Sequence, residues 1–98
     1  MKAYTYILFS KKINRFYIGC TNEPVENRLL KHNLHSYGKH RFTATADDWE
    51  IFLIIDVSNY SHAVRLERKI KAMKSKTFIL NLKKYPELLQ KIINETST

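Results

Sequence analysis

Tyr6, Tyr17, Arg28, His32 and Glu67 are the residues of this chain whose types and spacing could together do chemistry. Water cleaves a phosphate diester only when the water is activated, the charge gathering on phosphorus is neutralised and the departing oxygen is helped away. A phenol, with a pKa near ~10, is a poor base at neutral pH unless nearby cations stabilise its phenolate. Arginine stays charged at every working pH and can grip a phosphate bidentately. Imidazole titrates near neutrality and can accept or relay a proton. One carboxylate can suffice for a hard divalent cation such as Mg²⁺ when substrate oxygens and water supply the other ligands.

Spacing brings four of these groups together. If residues 3–9 and 14–20 pair as antiparallel strands around a loop at 10–13, Tyr6 and Tyr17 stand directly opposite each other. Any register of the same parity keeps both phenols on one sheet face. Arg28 and His32, at i and i+4, share one face of a helix. Each group also has a plainer role available. Strand tyrosines pack across sheets, a helix Arg or His is often solvated, and Glu67 can pair with Lys71 one helical turn on.

The elements that must position these groups follow from the apolar pattern. Ala3, Thr5, Ile7 and Phe9 alternate with Tyr4, Tyr6, Leu8 and Ser10, and Phe16, Ile18 and Cys20 alternate with Arg15, Tyr17 and Gly19. One sheet face is therefore core-like and the other tyrosine-rich. Asn22-Glu23-Pro24 predicts a cap and a first-turn proline for a helix over 24–34, with Val25, Leu29 and Leu30 inward. Residues 35–48 show no period and read as a long functional loop. The run 49–57 predicts a third strand, buried on both faces because its apolar residues break alternation.

Residues 58–61 offer caps for a helix over 62–74, whose inward stripe is Ala63, Leu66, Ile70 and Met73. Its other faces are cationic around the single acid Glu67. Residues 78–82 suggest a short helix or turn, and Pro86 starts a last helix over 86–95 with Leu88, Leu89, Ile92 and Ile93 inward. The order β-β-α-β-α-α(-α) predicts an α+β fold, one domain over 1–98 with its core at about 3–82.

With 17 Lys plus Arg against 9 Asp plus Glu in 98 residues, the formal charge of +8 points to a polyanionic partner. Nucleic acid leads and an acidic membrane surface competes. The longest apolar run, 51–55, is far short of the roughly 20 residues of a spanning helix. The N-terminal residues lack the apolar block of a signal peptide, which predicts a cytoplasmic protein without a membrane anchor. The final helix has little charge contrast, which argues against a surface amphipath. Cys20, the single cysteine, offers no internal disulfide and no Cys/His zinc set. It reads as a small apolar residue beside Phe16 and Ile18.

This layout resembles the GIY-YIG nuclease family, whose signature is a Gly-Ile-Tyr segment, a later Tyr-Ile-Gly segment, then Arg, His and a distant Glu. Here the segments read Tyr4-Thr5-Tyr6 and Tyr17-Ile18-Gly19, followed by Arg28, His32 and Glu67. The likeness spans roughly residues 4–80 and is greatest to the short stand-alone members of bacteria. It implies a three-stranded antiparallel sheet flanked by helices, and metal-dependent hydrolysis of a DNA phosphodiester. One of Tyr6 and Tyr17 would assist the attacking water and the other position it, the choice between them staying open. Arg28 would hold the phosphate, His32 the proton, and Glu67 an Mg²⁺ or Mn²⁺ ion. Asn81 stands where several members carry a late asparagine near the site.

Gly19, and the cations Lys39, Arg41 and Lys69, are expected to contact substrate, the cations by tracking a phosphate backbone. Tyr37 or Phe42 would stack on an unpaired base. The first segment departs from the family in retaining only its tyrosine. Tyr4 in place of glycine fills space beside the site and bears on substrate shape. A bare catalytic module has little area for reading sequence, so recognition of duplex or branched DNA by structure is expected, by a monomer or homodimer. A non-catalytic nucleic-acid-binding module that keeps the site as a phosphate grip is the reading from another class.

Overall fold

In the computed structural model, which describes residues 2–38 and 42–97, the chain runs β1 (Ala3–Ser10), β2 (Arg15–Thr21), α1 (Val25–Asn33), a 3-10 turn (Phe42–Thr45), β3 (Glu50–Val57), α2 (Tyr60–Met73), α3 (Lys76–Lys84) and α4 (Pro86–Glu95). The three strands form one antiparallel sheet in the order β2-β1-β3. The fold is the α+β arrangement that the sequence predicts, with the site-bearing strand β1 at its centre.

The two sheet faces diverge as the alternation requires. Ala3, Ile7, Ile18, Ile55 and Val57 meet Ala63, Leu66 and Ile70 of α2 and Ile79, Leu82 and Ile92 of α3 and α4 in one core. Tyr6 and Leu8, with Val25, Ala46 and Trp49, form a second cluster on the other face. Full burial of each such large side chain is worth ~1.5–3 kcal/mol. Asn59 caps α2 by accepting from the His62 amide, and Ser75 caps α3 by accepting from Phe78. His62 is spent on structure: its Nε2 meets the Ile93 carbonyl and the Thr96 hydroxyl, docking α4 on α2.

Several expectations need correction. Tyr6 does not face Tyr17: it pairs with Gly19, and Tyr17 pairs with Leu8. The connection is residues 11–14, with Asn14 in the left-handed region at φ 53°. This register is two residues away from the expected one, so parity survives and both phenols share a face. A glycine opposite Tyr6 explains the choice. A Cβ on Gly19 would lie 2.6 Å from both Cζ and Oη of Tyr6, so the phenol lies across a backbone that has no side chain.

β3 is an edge strand rather than one buried on both faces, and Ile54 is 38% exposed. Its broken alternation comes from a bulge. Ile7 pairs with Leu53 and Leu8 with Ile51, leaving Phe52 as the extra residue, so Phe52 and Leu53 both join the helix-side core. Leu30 and Met73, expected inward, are exposed. Pro24 precedes α1 at its N-cap position. Residues 76–84 form a full helix where a short helix or turn was expected.

The Tyr6–Gly19 contact sets a stability test. Gly19→Ala overpacks a site with no room to yield and should cost ~1–3 kcal/mol. Urea unfolding should show a lower midpoint with an unchanged slope. Wild-type stability in this variant would contradict the placement of the phenol over Gly19.

Candidate active site

α1 crosses the tyrosine face of the sheet and brings one side of its surface to Tyr6 and Tyr17. His32, 2% exposed, places its ring 6.0 Å from that of Tyr6 and 4.7 Å from that of Tyr17. The two phenol rings are 6.3 Å apart and tilted. The Tyr6 hydroxyl lies 2.9 Å from His32 Nε2, and His32 Nδ1 lies 2.9 Å from the Thr43 hydroxyl. Thr43 is held in turn by Trp49, whose indole N–H donates to the Thr43 carbonyl at 2.9 Å. Trp49 is thus a packing residue that pins the 3-10 turn, and Asn33 at the end of α1 clasps its backbone N–H and C=O.

Hydrogen-bond accounting assigns the protons. Against the larger opposing effect of burial, the Arg28 charge near the Tyr6 oxygen lowers the phenol's pKa. Tyr6 is fully buried, and a buried O–H without an acceptor is costly. Its proton goes to His32 Nε2, and the imidazole, protonated on Nδ1, donates to Thr43 Oγ1. Both ends of this chain are electrostatically locked. Burial, with Tyr17 nearby, raises the Tyr6 pKa well above the usual phenol value. Burial, then the Arg28 charge, lowers His32 to about 4. At neutral pH a protonated phenol faces a neutral imidazole.

Tyr17 has a different exposure. It is half-buried and lines a cavity of about 270 Å³ together with Arg28, His32, Tyr37, Phe42, Thr43 and Lys71. No acid lines this cavity among the described residues. The Arg28 guanidinium sits 4.9 Å from the centre of the Tyr37 ring, and the His32 and Tyr37 rings are 4.7 Å apart. Arg28 Nε and the Tyr37 hydroxyl are buried without a protein partner. Two such donors beside a cationic wall suit an anion's oxygens.

Glu67 approaches from the opposite side of the sheet. α2 packs on the other face, next to edge strand β2, and Glu67 Oε2 lies 2.8 Å from Lys71 Nζ, which reaches the cavity. The Tyr60 phenol, pushed up chiefly by its hydrogen bond and charge coupling to Cys20, also feels the Glu67 carboxylate and the Arg28 guanidinium. Glu67 and Arg28 therefore occupy one neighbourhood around β2. Among the described residues no group of three or more His, Cys, Asp or Glu could hold a metal. A single half-buried carboxylate still fits Mg²⁺ or Mn²⁺, which keep water and take substrate phosphate as ligands, provided that Lys71 swings away.

The structure thus gathers Tyr6, Tyr17, Arg28 and His32, and brings Glu67 to the rim through Lys71. Other expected contacts fall elsewhere. Gly19 is buried under Tyr6 and does not line the cavity. Lys69 is exposed on α2 and Asn81 belongs to α3 on the far sheet face, and neither lines it. Lys39 and Arg41 lie outside the described residues. Tyr37 and Phe42, expected to stack on a base, do line the cavity. Thr43 and Lys71 were missed as site residues. Thr43 sits in a loop without period, and for Lys71 only the i+4 spacing to Glu67 was legible.

A three-stranded sheet and its helices that line one cavity with two phenols, an arginine and a lysine, and with no acid among the described residues, define a small α+β domain with a cationic site. The chain belongs to the GIY-YIG family, whose catalytic domain matches residues 2–84. It is a nuclease family whose domains are generally endonucleases, with DNA as the substrate class. No curated protein is significantly similar to the chain, and no solved structure is either. No helix among the described residues is long and apolar enough to cross a membrane.

The buried imidazole makes stability pH-dependent. Its folded pKa of about 4 lies below the usual value of 6.5, so the unfolded chain binds the extra proton between the two. Stability from this group is complete above ~6.5 and falls as pH drops toward about 4, by at most ~3 kcal/mol. NMR of the ring should show a neutral, Nδ1-protonated His32 down to about pH 4. A ring that titrates at the ordinary value would refute the buried arrangement.

Proposed function

We propose that this protein is a divalent-metal-dependent endonuclease that hydrolyses DNA phosphodiesters, directed by DNA structure more than by sequence. The observation that carries the reading is the cavity in which the Tyr17 phenol meets Arg28, with its unpartnered buried Nε, and no acid among the described residues. Arg28 and the Tyr37 hydroxyl take the oxygens of the scissile phosphate. Tyr17, the phenol that reaches the cavity, handles the water beside Arg28 and Lys71, which line the same cavity. Tyr6, sealed from solvent, is a positioning residue that holds His32 in place.

In the step itself Tyr17 acts as the phenolate, its own proton having gone to solvent beforehand, and takes a proton from the water as the water oxygen bonds to phosphorus. The phosphorus–oxygen bond to the leaving nucleoside breaks opposite, and that oxygen takes a proton from solvent. Arg28 neutralises the charge added on the equatorial oxygens. Glu67 would hold the Mg²⁺ or Mn²⁺ ion, which supplies Lewis-acid neutralisation at the phosphate.

Arg28→Ala and Glu67→Ala should each abolish Mg²⁺-dependent nicking of plasmid and branched DNA while leaving circular dichroism unchanged. Tyr17→Phe should lose ~10²–10⁴-fold in kcat, the range of a general base. Full cleavage by the Glu67 variant would sink the metal assignment. DNA binding with a steep salt dependence, but no hydrolysis by wild type with Mg²⁺ or Mn²⁺ on duplex, single-stranded or branched substrates, would favour the binding-module reading instead.

A further inference from the structure

A second groove, of about 400 Å³, lies between β2 and the junction of α2 with α3. Its floor is apolar, with Phe16 and Ile18 of β2 at its centre, and its rim carries Arg15, Lys71, Lys74 and Lys76. No acid lines it among the described residues. Lys71 lines both this groove and the cavity that holds Tyr17 and Arg28, so the two adjoin at that side chain.

The rim cations are largely uncommitted. Arg15 and Lys74 are exposed and have no carboxylate partner among the described residues. Lys76 is turned across the groove's end by a 2.9 Å bond to the Asn14 carbonyl. Lys74 ends α2 in the left-handed region at φ 48°, a position where glycine is free of strain.

We propose that this groove binds the single strand of DNA that continues from the scissile phosphate, with its phosphates on Arg15 and Lys74 and an unpaired nucleotide over Phe16 and Ile18. The proposal rests on the nuclease reading for the direction in which the strand enters. Charge selects a polyanion. The apolar floor selects the exposed sugar and base faces of an unpaired strand, since a duplex presents phosphates outward and buries its base faces. A volume of this size takes a nucleotide-sized ligand, not a duplex.

The double variant Arg15→Ala/Lys74→Ala tests it by fluorescence anisotropy in metal-free buffer. The probes are a labelled duplex with a single-stranded overhang and a fully paired duplex of equal length. On the overhang probe the slope of log affinity against log salt should flatten by about 1.4, from ~0.7 per neutralised phosphate of a single strand. The paired duplex should change by less than half of that. An unchanged slope on the overhang probe overturns the groove, and equal flattening on both probes overturns its preference for a single strand.

Cleavage keeps this result apart from the nuclease reading. Bis(p-nitrophenyl) phosphate, too small to reach the groove from the cavity, should be hydrolysed by the variant at the wild-type rate. A fall there assigns the effect to the cavity and overturns the groove. A wild-type protein that cuts nothing overturns the nuclease reading, while the anisotropy comparison still decides the groove.

Discussion

The hydrogen bond from the Tyr6 hydroxyl to His32 Nε2, closed off from water, is the constraint on which the site depends. It ties the central strand to α1, and through Nδ1 it reaches Thr43 and the turn that Trp49 anchors. A buried polar network of this kind is favourable only when each member is satisfied. Removing one partner leaves another exposed to the full cost of desolvation. The network therefore specifies one position for α1 and one for the 3-10 turn, and both cavity walls follow from them.

The second constraint is the sheet's edge. With β1 central, β2 has a free side, and side chains from both faces can meet around it. Arg28 and His32 come from α1 on the tyrosine face, while Glu67 and Lys71 come from α2 on the other. Gly19 serves the first group indirectly, because its missing side chain lets the Tyr6 phenol lie across β2. Cys20, its neighbour, turns to the α2 face, where burial pushes its thiol upward and its contacts are Glu67 and Tyr60.

Much of this was legible in the sequence because parity and helical spacing are local rules. Alternation placed Tyr6 and Tyr17 on one face in any register of the same parity, and the i, i+4 spacing aligned Arg28 with His32. What local rules could not supply was the register itself, in which the bare backbone of Gly19 makes room for the Tyr6 phenol. Nor could they distinguish the two phenols, since the sealing of Tyr6 and the exposure of Tyr17 depend on how α1 and the 3-10 turn close over the sheet. The apolar run 51–55 misled for a similar reason: a bulge at Phe52 and an edge position produce the pattern that burial on both faces would also give. Thr43 and Lys71 enter the site through tertiary contacts, and no period in the chain announces them.

The ion pair between Glu67 and Lys71 decides what charge α2 presents to the cavity. An unpaired carboxylate beside the cavity would repel a polyanion of the kind that the formal charge of +8 favours. With Lys71 at 2.8 Å, the pair is neutral at long range, and the field at the cavity mouth is set by Arg28 and the rim lysines.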